Sequence, residues 1–292
     1  MMKTDNLIDL PDGRKLAYAE YGKPDGHPVM HFHGSMSSRL EPSFFGDDLL
    51  NQYGLRFIAL DRPGMGQSDF QPNRGLTDWT KDVVFVADSL NIEQFSVLAI
   101  SGGGGYAAVC AAKIPERLHS VVIVSGAWQV DDEAVKNTQF PLNLLFIVAS
   151  KAPFLLPTML KISNLSFRGS PEKILARMKK SMPTPDYKAL AQSGNLKFFL
   201  QSSIEGLRRG TKGAAWDFQL SAHDWDFGLK EIQIPLILFH GEQDKSVPVE
   251  NVRRKVSNSL PTARLVTYQD EGHISIIINR YDEIFKALVP IS

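Results

Sequence analysis

Cysteine is almost missing from this chain: of its 292 residues only Cys110 carries a thiol. A single thiol cannot form an intramolecular disulfide, so the fold must rest on an apolar core, and the usage suits a reducing compartment. Net charge is missing as well, with 32 Lys and Arg balanced by 32 Asp and Glu. That balance removes the electrostatic basis for binding nucleic acid or an anionic membrane surface. No apolar run approaches the roughly 20 residues that cross a bilayer; the run at 142–149 is far too short. Met1-Met2-Lys3-Thr4-Asp5-Asn6 leads into strand-like sequence without an apolar signal core. The expectation is a soluble, cytoplasmic protein without a nucleic-acid partner, and whether it is a monomer or a homodimer is left open by the sequence. There is no internal repeat and no low-complexity segment. What remains is 43% hydrophobic and 22% charged residues, ordinary for a globular protein. The length allows one large α/β domain with an insertion.

Strand and helix patterns alternate along the first part. A turn at Pro11-Asp12-Gly13 between strand-like 7–10 and 15–21 predicts an opening hairpin. Strands follow at 28–32, 55–60, 95–100 and 120–125, with helices at 41–52 and 77–90 and a small-residue helix after Ser101. Apolar strands separated by helices predict a mostly parallel sheet covered on both faces. After Trp128 strand signals stop, and helical patterns at 142–150, 171–181 and 186–208 predict an all-helical insertion. The alternation resumes with a strand at 235–240, a helix at 249–260, a strand at 264–268 and a helix at 275–289. The division expected is a core of residues 1–128 and 229–292, with a helical cap of residues 129–228 inserted after the sixth strand.

The stretch Phe95 to Ala108 organises the rest. An apolar strand stops at Ser101, four glycines come next, and a small-residue helix begins. Such a junction pushes a hydroxyl out at the sheet edge, provided that the positions two before and two after are small; here they are Ala99 and Gly103. The pattern gains meaning from two later strand ends, which deliver Asp244 and His273 in the order serine, acid, histidine. Loops at the carboxyl ends of strands in open α/β sheets gather at one edge. The chemistry needs three residue types: a hydroxyl to attack, an imidazole to take and return its proton near pH 7, and a carboxylate to hold the imidazole's tautomer. Negative charge developing on a substrate oxygen needs N–H donors. Gly102, next after the serine, is one candidate, and Ser35, after His33-Gly34 at an earlier strand end, is the other.

His33-Gly34, Asp61-x-Pro63-Gly64-x-Gly66-x-Ser68, Ala99-x-Ser101-x-Gly103, Gly241-x-x-Asp244-x-x-Val247-Pro248 and Gly272-His273 stand in this order. With them the chain resembles α/β-hydrolase-fold serine hydrolases with a helical cap. The resemblance implies a covalent acyl-enzyme route, no cofactor and no metal, with Ser101, His273 and Asp244 as catalytic residues and the Ser35 and Gly102 N–H groups as oxyanion hole. Serine at 101 argues against family members with an aspartate nucleophile. Ala99 stands where the family usually has glycine, and the cap carries no matching motif, so substrate identity does not transfer.

Several of these residues admit a competing reading. Asp270, three before His273, is an alternative acid. His31-x-His33 is half a metal site, with no third ligand nearby, and reads as structural. Gly102-x-Gly104-x-x-Ala107 matches a loose dinucleotide fingerprint, but no acidic residue ends the next strand. Cys110, in a small-residue helix packed on the sheet, reads as buried and inert. The 61–68 loop reads as a buttress of the oxyanion loop. Apolar residues of the cap, among them Phe140, Phe154 and Phe199, are expected to line part of a pocket. The leading expectation is hydrolysis of an ester, or another acyl bond, of a small apolar substrate. Alternatives are a carbon–carbon bond hydrolase and a ligand sensor using the cap against a partner. Nothing in either oxyanion candidate suggests contacts specific to peroxide. Residues 129–231 hold 14 Lys and Arg against 10 Asp and Glu, which gives an aminopeptidase little support.

Overall fold

A computed structural model describes residues 3–289 apart from 168 and 193. Strands β1 (Lys3–Asp9) and β2 (Lys15–Gly22) form the expected hairpin, followed by β3 (His27–Phe32), α1 (Gly46–Gln52), β4 (Leu55–Leu60), α2 (Asp78–Ser89), β5 (Phe95–Ile100), α3 (Gly104–Lys113) and β6 (Leu118–Val124). Seven helices come next without a strand among the described residues: α4 (Asp132–Asn137), α5 (Leu142–Lys151), α6 (Leu156–Asn164), α7 (Pro171–Met178), α8 (Thr184–Ala191), α9 (Asn195–Gly206) and α10 (Lys212–Ala222). The chain then rejoins the sheet with β7 (Leu236–Gly241), α11 (Val249–Ser259), β8 (Arg264–Tyr268), α12 (Ser275–Asn279) and α13 (Tyr281–Leu288).

The eight strands stand in the order β1-β2-β4-β3-β5-β6-β7-β8. The β1–β2 and β2–β4 pairs are antiparallel and all others parallel. From β3 the chain steps to β4 on one side, then crosses to β5 on the other. The crevice at that reversal is where open α/β sheets bind ligands. Side chains alternate across the sheet as the pleat requires. Val97 and Ala99 of β5 pack with Trp79, Val83 and Ala107 on one face. Leu98 and Ile100 pack with Val122, Val124 and Phe285 on the other.

Three expected elements are divided. Residues 41–52 form a 3-10 turn (Glu41–Phe44) and then α1, because Gly46, at the start of α1, takes a positive φ of 72°. Residues 186–208 split into α8 and α9, and a left-handed Gly194 (φ 87°) precedes α9. Residues 275–289 split at Arg280 into α12 and α13. Helical periodicity continues through each break, so it conceals them.

The helical segment between β6 and β7 has a small core of its own. Leu145, Phe146, Leu156, Leu160 and Phe218 pack together there and receive Met65 from the 61–68 loop. Phe140 and Phe154, expected to face a pocket, are 68% and 77% exposed and face outward.

On the opposite face of the sheet the Phe285 ring meets Phe45, Tyr53 and Phe57 edge-on, with centroids 4.8, 5.3 and 5.7 Å away. This joins α13, α1 and β4 through rings at favourable geometry. Phe285→Ala is expected to lose about 3–5 kcal/mol of stability, measurable as a lower midpoint in urea with an unchanged slope.

Candidate active site

Ser101 follows β5 directly, in a left-handed conformation, φ 51°. For a residue with a Cβ this is strained backbone, and it turns the hydroxyl out of the sheet. The four glycines do loosen the start of the helix: residues 101–103 form a 3-10 turn before α3 begins. A Cβ on Gly102 would lie 2.3 Å from Ser35 Oγ and 3.1 Å from Ser35 N, so any side chain there would push Ser35 aside. The two proposed N–H donors are therefore neighbours across the gap between β3 and β5.

Ser101, His273 and Asp244 come together from three strand ends. His273 Nε2 stands 3.0 Å from Ser101 Oγ, and His273 Nδ1 stands 2.7 Å from Asp244 Oδ2. The other Asp244 oxygen accepts N–H bonds from Ser246 and Val247, each 2.8 Å. His240 Nε2 donates to the Val247 carbonyl at 2.7 Å and lies 3.3 Å from Asp244 Oδ2. Burial alone would raise the Asp244 pKa, but the two imidazoles outweigh it and hold it far below the usual carboxylate range. For His273 burial disfavours the imidazolium, yet the charge and hydrogen bond of Asp244, with Asp186 and Glu41 adding to them, raise its pKa above 6.5. The rival acid Asp270 is 73% exposed and paired with Arg280 at 3.0 Å, away from the imidazole.

The serine opens onto a cavity of about 120 Å³. Its wall is mostly apolar, with Phe44, Phe45, Ile274 and Ile277 from the sheet side and Phe167 and Phe199 from the helical segment. Among the cap aromatics named from sequence, Phe199 is the one that lines it. Glu41 also lines this cavity and is unforeseen. Its carboxylate accepts from Gly34 N–H at 3.1 Å and is paired with the fully buried His31 at 2.8 Å. Nothing in Leu40-Glu41-Pro42 marks it in the sequence. His31 is thus tied to a carboxylate of the cavity wall, and His33 to backbone groups. His33 Nδ1 donates to the Gly34 carbonyl at 2.8 Å while Nε2 accepts the Arg62 N–H at 3.3 Å. The second bond requires a neutral ring, and burial pushes its pKa well below 6.5. No cluster of three metal-ligating side chains occurs among the described residues. Cys110 is buried, and burial raises its thiol pKa, so it is unreactive.

The 61–68 loop holds the strand end before Ser35, and it does so through Arg62. Its guanidinium donates to the carbonyls of His33 and of Gly34, the latter at 3.0 Å. It also donates to Asp217 of α10 at 2.7 Å. Arg74 and the Tyr106 hydroxyl converge on the other Asp217 oxygen. Burial would raise the Asp217 pKa, and the two guanidiniums reverse that. Beside it Arg39 donates to Asp61 (2.8 Å), Glu205 (2.8 Å) and Asp5 (2.7 Å). Burial raises Asp61 to about 6, with Arg39 opposing.

Comparison with known proteins bears on the fold. The α/β hydrolase fold family model matches residues 27–279. A non-heme chloroperoxidase of Streptomyces lividans is 26% identical over 284 residues, 91% of this chain and 92% of that protein. A bifunctional esterase/perhydrolase of Acinetobacter calcoaceticus is 23% identical, covering 91% and 92%. Among solved structures, an esterase from Exiguobacterium antarcticum superimposes with a TM-score of 0.65 at 21% identity, covering 97% of both chains. No helix of the described residues is long and apolar enough to cross a membrane.

Removing one partner of the buried Arg62–Asp217 pair leaves an uncompensated charge, so Asp217→Ala is expected to cost about 3–5 kcal/mol. Urea unfolding reads the loss. With the family model spanning most of its length and the sheet order, strand-end serine and loop order all in agreement, the chain belongs to the α/β hydrolase fold family.

Proposed function

We propose that this protein is a serine hydrolase that cleaves esters of small, uncharged, mainly apolar acyl groups through an acyl-enzyme. Residues 129–228 act as a cap over a core of residues 1–128 and 229–292. The observation that carries the reading is one imidazole within hydrogen-bond reach of both Ser101 Oγ and Asp244, at the floor of an apolar cavity. Ser101 Oγ attacks the ester carbonyl while His273 Nε2 takes its proton. Asp244 holds the Nδ1–H tautomer and steadies the imidazolium. The tetrahedral oxyanion receives the N–H groups of Gly102 and Ser35, each worth about 3 kcal/mol in comparable sites. The imidazolium then protonates the leaving alkoxide, and the carbonyl re-forms as an acyl-serine. Water attacks next, giving up a proton to His273, which returns it to Ser101 as the acid leaves.

Cavity size and charge support the substrate class. The cavity is smaller than the roughly 300 Å³ at which sites for drug-sized ligands begin, which favours short acyl chains. Glu41 places a carboxylate in the wall, and a like charge on the substrate would be repelled in a partly dry site. A second reading comes from the relatives named chloroperoxidase and perhydrolase. If hydrogen peroxide replaces water at the acyl-serine, the product is a peracid formed by the same residues.

A fluorophosphonate should label Ser101, and Ser101→Ala should abolish both labelling and turnover of 4-nitrophenyl butyrate. A folded wild-type protein that stays unlabelled sinks the proposal. Asp244→Asn should lower kcat by about 10⁴-fold through loss of the correct tautomer. Because the neutral imidazole is the base, kcat/KM should rise with pH through an apparent pKa above 6.5. Esters whose acyl chain ends in a carboxylate should react at least about tenfold more slowly than neutral isosteres; equal rates remove Glu41 from the selection. Peracid formation with butyrate ester and peroxide, measured against acid formation, separates hydrolase from perhydrolase.

A further inference from the structure

His273 is held by its backbone as well as by its ring, and the hold comes from the helical segment. Asp186, on α8, is 2% exposed. One of its oxygens accepts the His273 N–H at 3.1 Å; the other accepts the N–H groups of Ile274 and Ser275, each at 2.9 Å. These three groups open the short helix α12, where backbone donors have no partner within the helix. The carboxylate lies so close to the chain that a Cβ on Gly272 would come within 2.5 Å of it. The Ser125 hydroxyl, at the end of β6, donates to the His273 carbonyl at 3.1 Å. Nothing in the sequence singles out Asp186, which lies between Pro185 and Tyr187 in a helix with no motif.

We propose that Asp186 is a positioning residue for His273: from the inserted helices it fixes the backbone on which the imidazole is carried, so that the ring reaches Ser101 and Asp244 together. The inference rests on the hydrolase reading for its catalytic meaning, but its geometry is independent of turnover. A buried carboxylate bonded to three consecutive N–H groups does two things. It fixes the loop direction to within the tolerance of those bonds, and a displacement of about 1 Å in such a site costs on the order of 100-fold in rate. It also places negative charge near the imidazole, which favours the imidazolium formed during the reaction. The charged groups facing His273 are then Asp244 from the loop after β7, Asp186 from α8 and Glu41 from the turn after β3, with His240 behind Asp244. Among the described residues no Lys or Arg lines the cavity to offset them.

The test compares wild type, Asp186→Asn and Asp186→Ala in the full chain. Asparagine keeps the size and one accepting oxygen and loses the charge; alanine loses both. Expected is a fall in kcat of about tenfold or more with KM within about threefold, smaller for the asparagine variant than for alanine. The acid limb of kcat/KM should move to lower pH, because removing a negative neighbour lowers the imidazole pKa. The His273 Cε1–H NMR signal, titrated in wild type and Asp186→Asn, should show the same downward shift without any substrate. An unmoved titration and acid limb, or a loss confined to KM, overturns the proposal. If alanine unfolds the chain, the asparagine variant decides alone. A wild type inert toward fluorophosphonate and esters, whose His273 titration still shifts in Asp186→Asn, sinks the hydrolase reading and leaves the positioning intact.

Discussion

One imidazole must reach a hydroxyl on one side and a carboxylate on the other, and the polypeptide has to bring three distant segments to it. A parallel sheet solves this because all its strands deliver their loops to the same edge. The reversal of direction between β3 and β5 opens the gap there. Ser101 follows β5 directly, Ser35 lies just past β3, and Asp244 and His273 lie just past β7 and β8. Everything else around the site can be understood as holding those loop ends against their own entropy, which costs roughly 1–2 kcal/mol for each residue fixed.

The means of holding is buried charge rather than apolar contact alone. Arg62 reaches the carbonyls of His33 and Gly34, Glu41 accepts the Gly34 N–H, and Asp186 accepts three successive N–H groups beginning at His273. Hydrogen bonds to ionised groups are shorter and about twice as strong as neutral ones, and they carry direction that methyl groups lack. Desolvation opposes each such ion. Here the opposition is met by pairing, as with Asp217 between Arg62 and Arg74, or by several backbone donors, as with Asp186 and Asp244. The helical segment supplies Asp186, Glu205 and Asp217 to these networks. It is therefore joined to the loops beneath it by specific polar bonds.

How far the sequence discloses this depends on the range of the interaction. The sheet, the hairpin and the position of the helical segment are legible because strand burial and turn residues are local properties. Ser101, Asp244 and His273 are legible as candidates because each sits at the end of an apolar run in a fixed order. Glu41, Arg62 as a clamp and Asp186 are not. Arg62 and Asp186 act through backbone groups far away in the chain and Glu41 through one seven residues back, and their own neighbours carry no pattern. The divided helices stay hidden for the opposite reason: the apolar rhythm persists across Gly46 and Arg280, and only the backbone departs from it. Phe140 and Phe154 mislead because an apolar residue in a helix says that a face exists, not which way it turns.

The helical segment is fastened to the loops around Ser101 at Asp186, Ser202 and Asp217. Ser202 meets the Ser37 hydroxyl at 2.8 Å. With Glu205 these contacts spread over α8, α9 and α10, so displacing the whole segment would break polar bonds at several points. The wall of the cavity on this side includes the rings of Phe167 and Phe199, which meet edge-on at 6.1 Å. A change of rotamer at either ring alters the cross-section of the cavity without breaking any of those polar bonds.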